Sequence, residues 1–189
     1  TDQTFGSRVA LKETIVHGGG LEEAFEREAR VLNKLRHGAI PVVMDYFIEG
    51  EGRFLVMQYI PGDDLSTLID RTRRPFPPDR VLDWADKLLD ALNYMHTQDP
   101  PVIHRDIKPQ NLKLTDRDDI VLLDFGLSKS ALGGEAAQSV SVFGYTPNYA
   151  PLEQVQGSGT DARSDLFSLA ATLYHLLTGL KPPDAIMRA

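Results

Sequence analysis

The alternation of apolar and polar positions along the chain predicts strands near its start and helices later. Short runs of branched and aromatic residues favour strands at 8–12, 42–48, 53–60, 112–114 and 120–123. Apolar residues at helical spacing predict helices over 22–36, 64–70, 79–96 and 164–178. A glycine-containing turn at 49–52 joins two of the strands and predicts a hairpin. This order favours an α+β fold with two lobes that meet near 59–64.

The longest predicted helix, 79–96, shows how the pattern works. We expect Asp79 to cap its N-terminus, because an aspartate side chain accepts hydrogen bonds from the first helical turn. Its large apolar residues recur at helical spacing: Leu82, Trp84, Leu88, Leu89, Leu92 and Met95. The segment 127–160 has no such period and is rich in Gly, Ser, Thr and Pro, which is typical of a long functional loop.

Composition excludes several classes of protein. The net charge of -7 argues against nucleic acid or an anionic membrane as the main partner, since either favours a basic face. The absence of cysteine excludes disulfides and thiolate metal sites. The most apolar stretch, 166–180, contains His175 and several hydroxyl residues. It is too short and too polar to span a bilayer, so we expect a buried helix and no membrane span in this chain.

Two polar motifs carry the candidate chemistry. Residues 104–111 read H-R-D-x-x-x-x-N, and residues 124–126 read D-F-G. Asp106 is placed to accept the proton of a substrate hydroxyl, and Lys108 to neutralise charge on a transferred phosphate. Asn111 and Asp124 offer the hard oxygen ligands that Mg²⁺ prefers. Either aspartate alone could be an ordinary turn residue, but the joint pattern favours phosphoryl transfer.

These motifs resemble those of the eukaryotic-like serine/threonine protein kinases found in bacteria, and the resemblance runs from about Val9 to Pro183. It implies a two-lobed kinase-like fold, with a small β-rich N-lobe at 1–60 and a mainly helical C-lobe at 61–189. It also implies ATP and Mg²⁺ as cofactors and a protein serine or threonine as substrate. Lys108 in its loop is similar to the serine/threonine subclass of the family.

The resemblance also implies a nucleotide site. Residues 9–12 resemble the V-A-I-K strand, so Lys12 is expected to contact the α and β phosphates. Glu28 matches its helix partner, although a solvated helix face is the alternative because other glutamates lie nearby. Met57 is expected behind the adenine, and the backbones of Gln58 and Ile60 are expected to bond its edge.

Two further positions of the nucleotide site are less regular. Asp64 falls where the family often has an acidic residue near the ribose, and Asp63 is the competing choice. Lys113 lies where an aliphatic residue usually sits beneath the adenine. We expect its stem to cover the base while its ammonium reaches water.

Residues 143–153 resemble the end of an activation segment. Thr146 is expected to contact the catalytic Asp106 and Lys108, and Asp165 to brace the backbone of the catalytic loop. Arg105 is expected to bind a phosphorylated residue of this segment. The candidates for that modification are Ser139, Ser141 and Thr146. The alternative is a merely flexible polar loop.

The chain departs from the family at both ends. No Gly-rich loop precedes Lys12, and no later arginine follows to pair with Glu153, so we expect an unpaired Glu153 and an incomplete nucleotide site. A catalytically impaired kinase-like binding module is therefore the alternative function, and a small-molecule phosphotransferase is a third. We expect a cytoplasmic location, or the cytoplasmic face of a membrane in a longer protein, with a transient homodimer possible for autophosphorylation.

Overall fold

The computed structural model describes residues 8–15, 21–50, 52–124 and 145–188. The Gly18–Gly20 run, Phe125, Gly126, Ser139 and Ser141 therefore lie outside the described residues. Within the described part, no helix is long and apolar enough to cross a membrane.

The first half of the chain forms a three-stranded antiparallel sheet. Its strands are β1 (Val9–Ile15), β2 (Val43–Glu49) and β3 (Gly52–Gln58), in the order β1-β3-β2. The predicted hairpin is confirmed: Tyr46 faces Leu55 and Glu49 faces Gly52 across β2 and β3. Helix α1 (Leu21–Lys34) packs against this sheet, and the ring of its Phe25 meets Tyr46 edge-on. Phe25, Ala29 and Leu32 recur at helical spacing and are buried, so they anchor α1.

The second half is mainly helical. Helix α2 (Leu65–Thr72) follows the sheet, and α3 (Pro78–His96) runs through the core. The prediction that Asp79 caps α3 was wrong: Pro77 occupies the cap position and Asp79 lies in the first turn. A proline fits there because its missing N–H costs nothing before the helix begins.

The buried face of α3 also differs from the predicted set. Trp84, Leu88, Leu92 and Met95 are fully buried, as expected from their spacing. Leu82 and Leu89 are exposed, and small Ala85 and Ala91 take the positions next to the core. The period was right, but size alone did not identify which apolar residues face inward.

A second, smaller sheet lies after α3. Its hairpin, β5 (Leu112–Leu114) and β6 (Ile120–Leu122), was predicted from the sequence. A two-residue strand, β4 (Asp63–Asp64), pairs with β5 and was not predicted, because aspartates rarely favour strands. Through this pairing, the segment that links the two halves is fixed beside Lys113.

Three more helices complete the described chain: α4 (Leu152–Val155), α5 (Ala162–Thr178) and α6 (Ala185–Arg188). Helix α5 begins two residues before the predicted position, with Asp161 and Ser164 forming a reciprocal capping box. It ends at Gly179, whose φ of 70° favours glycine. Helices α3 and α5 pack together, which places Asp165 of α5 beneath the loop that follows α3.

Candidate active site

Four side chains from three segments converge on Asp106. Thr146 Oγ1 donates a hydrogen bond to Asp106 Oδ1 at 2.9 Å, and it accepts one from Lys108 Nζ at 2.9 Å. Lys108 Nζ also lies 2.8 Å from Asp106 Oδ2. Asn111 Nδ2 donates to Asp106 Oδ2 at 3.0 Å and to its backbone oxygen at 2.7 Å. The carboxylate of Asp106 is therefore oriented from both of its oxygens.

Asp165 supports this loop from below. Its Oδ2 accepts the backbone N–H of His104, and its Oδ1 accepts that of Arg105, each at 2.8 Å. His96 Nε2 also bonds Asp165 Oδ2 at 2.8 Å. Asp165 is completely buried, so these hydrogen bonds replace the water that a carboxylate loses on burial. The predicted brace is present in this geometry.

His104 connects the catalytic loop with the strand that leads to Asp124. Its Nδ1 accepts the N–H of Asp106 at 3.3 Å, and its Nε2 donates to the backbone oxygen of Leu123 at 2.9 Å. This pattern assigns the neutral tautomer with the proton on Nε2. Burial lowers the pKa of His104, and the nearby charge of Asp165 opposes that shift. His104 is therefore a packing and orienting residue.

Lys12 and Asp124 form an ion pair at the edge of the cleft, with Nζ 3.2 Å from Oδ1. Asp124 is half-exposed and has a φ of 59°. Arg105, next to Asp106, has a φ of 68°. Left-handed backbone at residues other than glycine is uncommon and concentrates at functional sites. Both motifs singled out in the sequence thus contain such a residue.

Asn111 and Asp124 fit a loosely held magnesium ion. The Asn111 amide nitrogen is committed to Asp106, which leaves its oxygen as the atom available to a cation. No group of three or more His, Cys, Asp or Glu side chains that could hold a metal occurs among the described residues. Mg²⁺ usually takes one or two carboxylates and fills its octahedron with water and substrate phosphates, so a sparse protein donor set suits it.

A cleft opens between the two sheets beside the Lys12–Asp124 pair. Six of the residues predicted to contact nucleotide or metal line it: Lys12, Met57, Gln58, Ile60, Lys113 and Asp124. Sequence reasoning missed further lining residues: Ala10, Leu11, Pro41, Tyr59 and Leu123. Ala10 was within reach of prediction, because it lies two residues before Lys12 on the same face of a strand. Pro41 gave no comparable signal.

The ammonium of Lys113 does not reach water as expected. Its Nζ donates to the backbone oxygen of Ile60 at 2.8 Å and lies 5.5 Å from the centre of the Tyr59 ring. The carbonyl and the ring are the nearer partners, since β5 is paired with β4 and so held against this segment. Lys113 therefore ties the second sheet to the stretch that links the two halves.

Two predicted nucleotide contacts stay predictions. Asp64 is the N-cap of α2, where its carboxylate accepts from Thr67 N at 2.9 Å and from Thr67 Oγ1 at 2.6 Å. The competing Asp63 pairs with Arg71 at 2.8 Å. Glu28 lies half-buried on α1, and its pairing with Lys12 is an expectation from the family pattern.

The segment after Thr146 is fixed to helix α5. Tyr149 packs against His175, and the phenol oxygen lies 2.7 Å from Nδ1. Burial raises the pKa of Tyr149 to about 12, with a smaller contribution from the charge of Asp70. Burial and the nearby Lys181 lower the pKa of His175. Both rings are therefore neutral near pH 7, and the bond between them is a neutral one.

The expectation that Glu153 is unpaired was wrong. Its Oε1 accepts a hydrogen bond from Ser164 Oγ at 2.7 Å, at the start of α5. The reason is local, because the serine of the capping box lies within reach of α4. This contact was not predictable from spacing, since it depends on how α4 packs against α5.

Arg105 binds a residue that the sequence did not single out. Its Nε donates to Thr160 Oγ1 at 2.8 Å, and its backbone oxygen accepts from Gln154 Nε2 at 2.9 Å. Ser139 and Ser141 lie outside the described residues. The pairing of Arg105 with a phosphorylated residue stays a prediction.

A small antiparallel sheet with one helix, a mainly helical second half and a polar cleft where they meet define a two-lobed protein kinase fold. The chain belongs to the protein kinase domain family, whose model matches residues 1–187. The fold class and the family resemblance predicted from the sequence are confirmed.

Similar proteins of known sequence are bacterial serine/threonine-protein kinases. Pkn2 of Myxococcus xanthus is 35% identical over 96% of this chain and 22% of its own length. PknB of Mycobacterium tuberculosis is 34% identical over 84% of this chain and 26% of its own length. The chain thus spans about a quarter of the length of these curated relatives.

Solved structures give the same picture. The PknI kinase domain of Mycobacterium tuberculosis matches with a TM-score of 0.76 and 27% identity, over 97% of this chain and 69% of that one. Rad53 in complex with AMP-PNP matches with a TM-score of 0.72 and 25% identity, over 95% of this chain and 43% of that one.

Proposed function

We propose that this chain is the catalytic region of a serine/threonine protein kinase, which transfers the γ-phosphate of ATP to a protein hydroxyl. The observation that carries the proposal is the convergence of Thr146, Lys108 and Asn111 on the carboxylate of Asp106. Phosphoryl transfer depends on positioning and charge neutralisation rather than on covalent chemistry, and this cluster supplies both.

In the proposed reaction, Asp106 orients the substrate hydroxyl and accepts its proton. Thr146 and Lys108 hold the carboxylate in one orientation before substrate arrives. The Lys108 ammonium lies 2.8 Å from Asp106, so it also offers positive charge where charge accumulates on the transferred phosphoryl group. Water exclusion would come from substrate docking on the 145–150 segment.

Lys12, Asn111 and Asp124 are the proposed contacts to the triphosphate and its metal. Lys12 neutralises phosphate oxygens, and Asn111 and Asp124 supply oxygen ligands to Mg²⁺. A bound magnesium ion would neutralise charge on the phosphates. Gln58 and Ile60 are proposed to bond the base edge through their backbones, with Met57 behind the base. Asp64 near the ribose, Glu28 beside Lys12 and Lys113 beneath the base complete the proposed nucleotide site.

Several properties of the protein follow from this proposal. Its substrates would be serine and threonine residues of proteins, because Lys108 and Thr146 lie where that subclass carries them and the curated relatives bear that name. Autophosphorylation would proceed through a transient homodimer. We propose a lobe division at residues 60 and 61, just before β4, and a cytoplasmic location.

The test is magnesium-dependent transfer of labelled phosphate to a generic protein substrate by the protein that carries this chain. Asp106→Asn and Lys12→Met should each lower the rate at least about a hundredfold. Asp116→Asn is the matched control, because Asp116 is exposed on the turn between β5 and β6 and should leave the rate unchanged. Equal transfer by wild type and Asp106→Asn would refute the proposal.

A further inference from the structure

The ammonium of Lys113 is held at the hinge, here defined as residues 58–60, which joins β3 to the second half of the chain. Lys113 Nζ donates to the backbone oxygen of Ile60 at 2.8 Å. It also lies 5.5 Å from the centre of the Tyr59 ring, and the Arg8 guanidinium carbon lies 5.8 Å from the same centre. Lys113, Tyr59 and Ile60 all line the cleft. A positive charge is therefore fixed inside the cleft, at the hinge.

The hinge backbone presents hydrogen-bonding groups in a definite order. In extended backbone, the N–H and C=O of one residue point to the same side, and alternate residues share a side. The N–H of Gln58 bonds Val42 at 2.8 Å, on the β2 side of the sheet, and β2 itself begins only at Val43. Beyond Val42 this edge has no strand partner. It would offer the Gln58 carbonyl, the Ile60 N–H and the Ile60 carbonyl in that order.

This order of groups distinguishes purines. An acceptor followed by a donor complements the 6-amino group and N1 of adenine. The third group of the edge, the Ile60 carbonyl, then faces position 2 of the base. In adenine that position carries only hydrogen, whereas in guanine and in 2-aminoadenine it carries an amino donor. Lys113 already donates to this carbonyl.

We propose that Lys113 is a specificity-determining residue that excludes nucleotides with an amino group at position 2 of the purine. The inference rests on the proposed function, because it takes the hinge as the contact for the base. The ammonium places a charged donor where a 2-amino group would place a second donor. A 2-amino purine must either share the carbonyl with the ammonium or displace it, and displacement gives up a charge-assisted hydrogen bond.

The test compares binding of ADP with binding of 2-amino-ADP by calorimetry. The two ligands share the 6-amino group and N1, so they differ only in the group that faces Ile60. Wild type should prefer ADP by about tenfold or more. Lys113→Met keeps an apolar stem beneath the base but removes the ammonium, and its preference should fall to about one or reverse.

Two controls separate this effect from loss of the fold. Lys113→Arg keeps a positive donor at the Ile60 carbonyl, and it should retain most of the preference for ADP. Thermal melting establishes whether Lys113→Met is folded, and Lys113→Gln replaces it if it is not, with the same expected loss of preference.

Three results would count against the inference. Equal binding of the two ligands by wild type overturns it without any variant. An unchanged preference in the folded Lys113→Met variant also overturns it, while leaving the proposed function intact. Failure of wild type to bind ADP at all overturns the proposed function, and the inference about Lys113 falls with it.

Discussion

Thr146 donates a hydrogen bond to Asp106 at 2.9 Å, although forty residues separate the two along the chain. The same hydroxyl accepts from Lys108, so the end of the activation segment and the catalytic loop share one network. The network forms only when the 145–150 segment is docked. Its docking depends in turn on Tyr149, which bonds His175 of α5.

Removal of the Thr146 hydroxyl should slow phosphate transfer. Thr146→Val keeps the shape of the side chain but breaks both hydrogen bonds, and a bond to a charged group is worth about 1.5–3 kcal/mol. We expect the rate to fall about tenfold to a hundredfold. Thr146→Ser keeps the hydroxyl and should stay within about threefold of wild type. Steady-state transfer to a peptide measures this, and equal rates for the valine and serine variants would contradict it.

Asp165 should contribute far more to stability than Asp161, four residues earlier. Asp165 is completely buried and accepts the N–H groups of His104 and Arg105. Asp165→Ala leaves these donors unsatisfied, so we expect a loss of about 3 kcal/mol in the free energy of unfolding.

Asp161→Ala is the matched control on the same helix. Asp161 is exposed and acts as the N-cap of α5, where water can replace its hydrogen bonds. Its loss should be clearly smaller in urea titrations of both variants. A larger loss for Asp161 than for Asp165 would show that the brace is unimportant for the fold.

The free energy of unfolding should fall as the pH drops from about 7 to 5. Burial lowers the pKa of His104 and of His175 from the ordinary value of 6.5. Below that value the unfolded chain takes up protons that the folded chain does not, so the stability present above pH 6.5 is lost on acidification. Melting temperatures between pH 5 and 8 measure the slope.

His175→Gln provides the control for this pH dependence. It removes one of the two buried imidazoles, so the slope between pH 5 and 7 should become shallower while His104 preserves part of it. Asp161 cannot produce the effect, because its pKa is lowered by Arg163 from an ordinary value of 3.8, below this window. A stability that rises on acidification would exclude the buried neutral histidines.

Tyr149→Phe should destabilise the protein by about 1–2 kcal/mol. The change removes the phenol that meets His175 at 2.7 Å and leaves a buried ring nitrogen without that partner. Tyr174→Phe is the matched control, since Tyr174 is 45% exposed and adjacent to His175 in the chain. Chemical denaturation of both variants should separate them, and equal midpoints would contradict the prediction.

Most of the secondary structure was predictable because its signals are local. The hairpin of β2 and β3 follows from a turn between two apolar runs, and helix α3 follows from apolar residues at its period. The errors arose where packing decides: Leu82 and Leu89 fit the helical period yet face solvent. Strand β4 exists only because β5 pairs with it.

The sequence by itself determined the chemistry of this protein. Asp106, Lys108, Asn111 and Asp124 were identifiable because phosphoryl transfer requires those groups at close spacing on short loops, and the motifs keep that spacing. Spacing along the chain also predicted Thr146 and Asp165 through the family pattern.

Only the tertiary structure decided which partners these groups have. His96 beneath Asp165, Thr160 beside Arg105 and Lys113 on the Ile60 carbonyl bring together residues that are distant in sequence. Such contacts depend on how helices and sheets pack, and no local pattern encodes them. For Lys113 this difference matters most, since one carbonyl converts a solvated surface lysine into a fixed charge in the cleft.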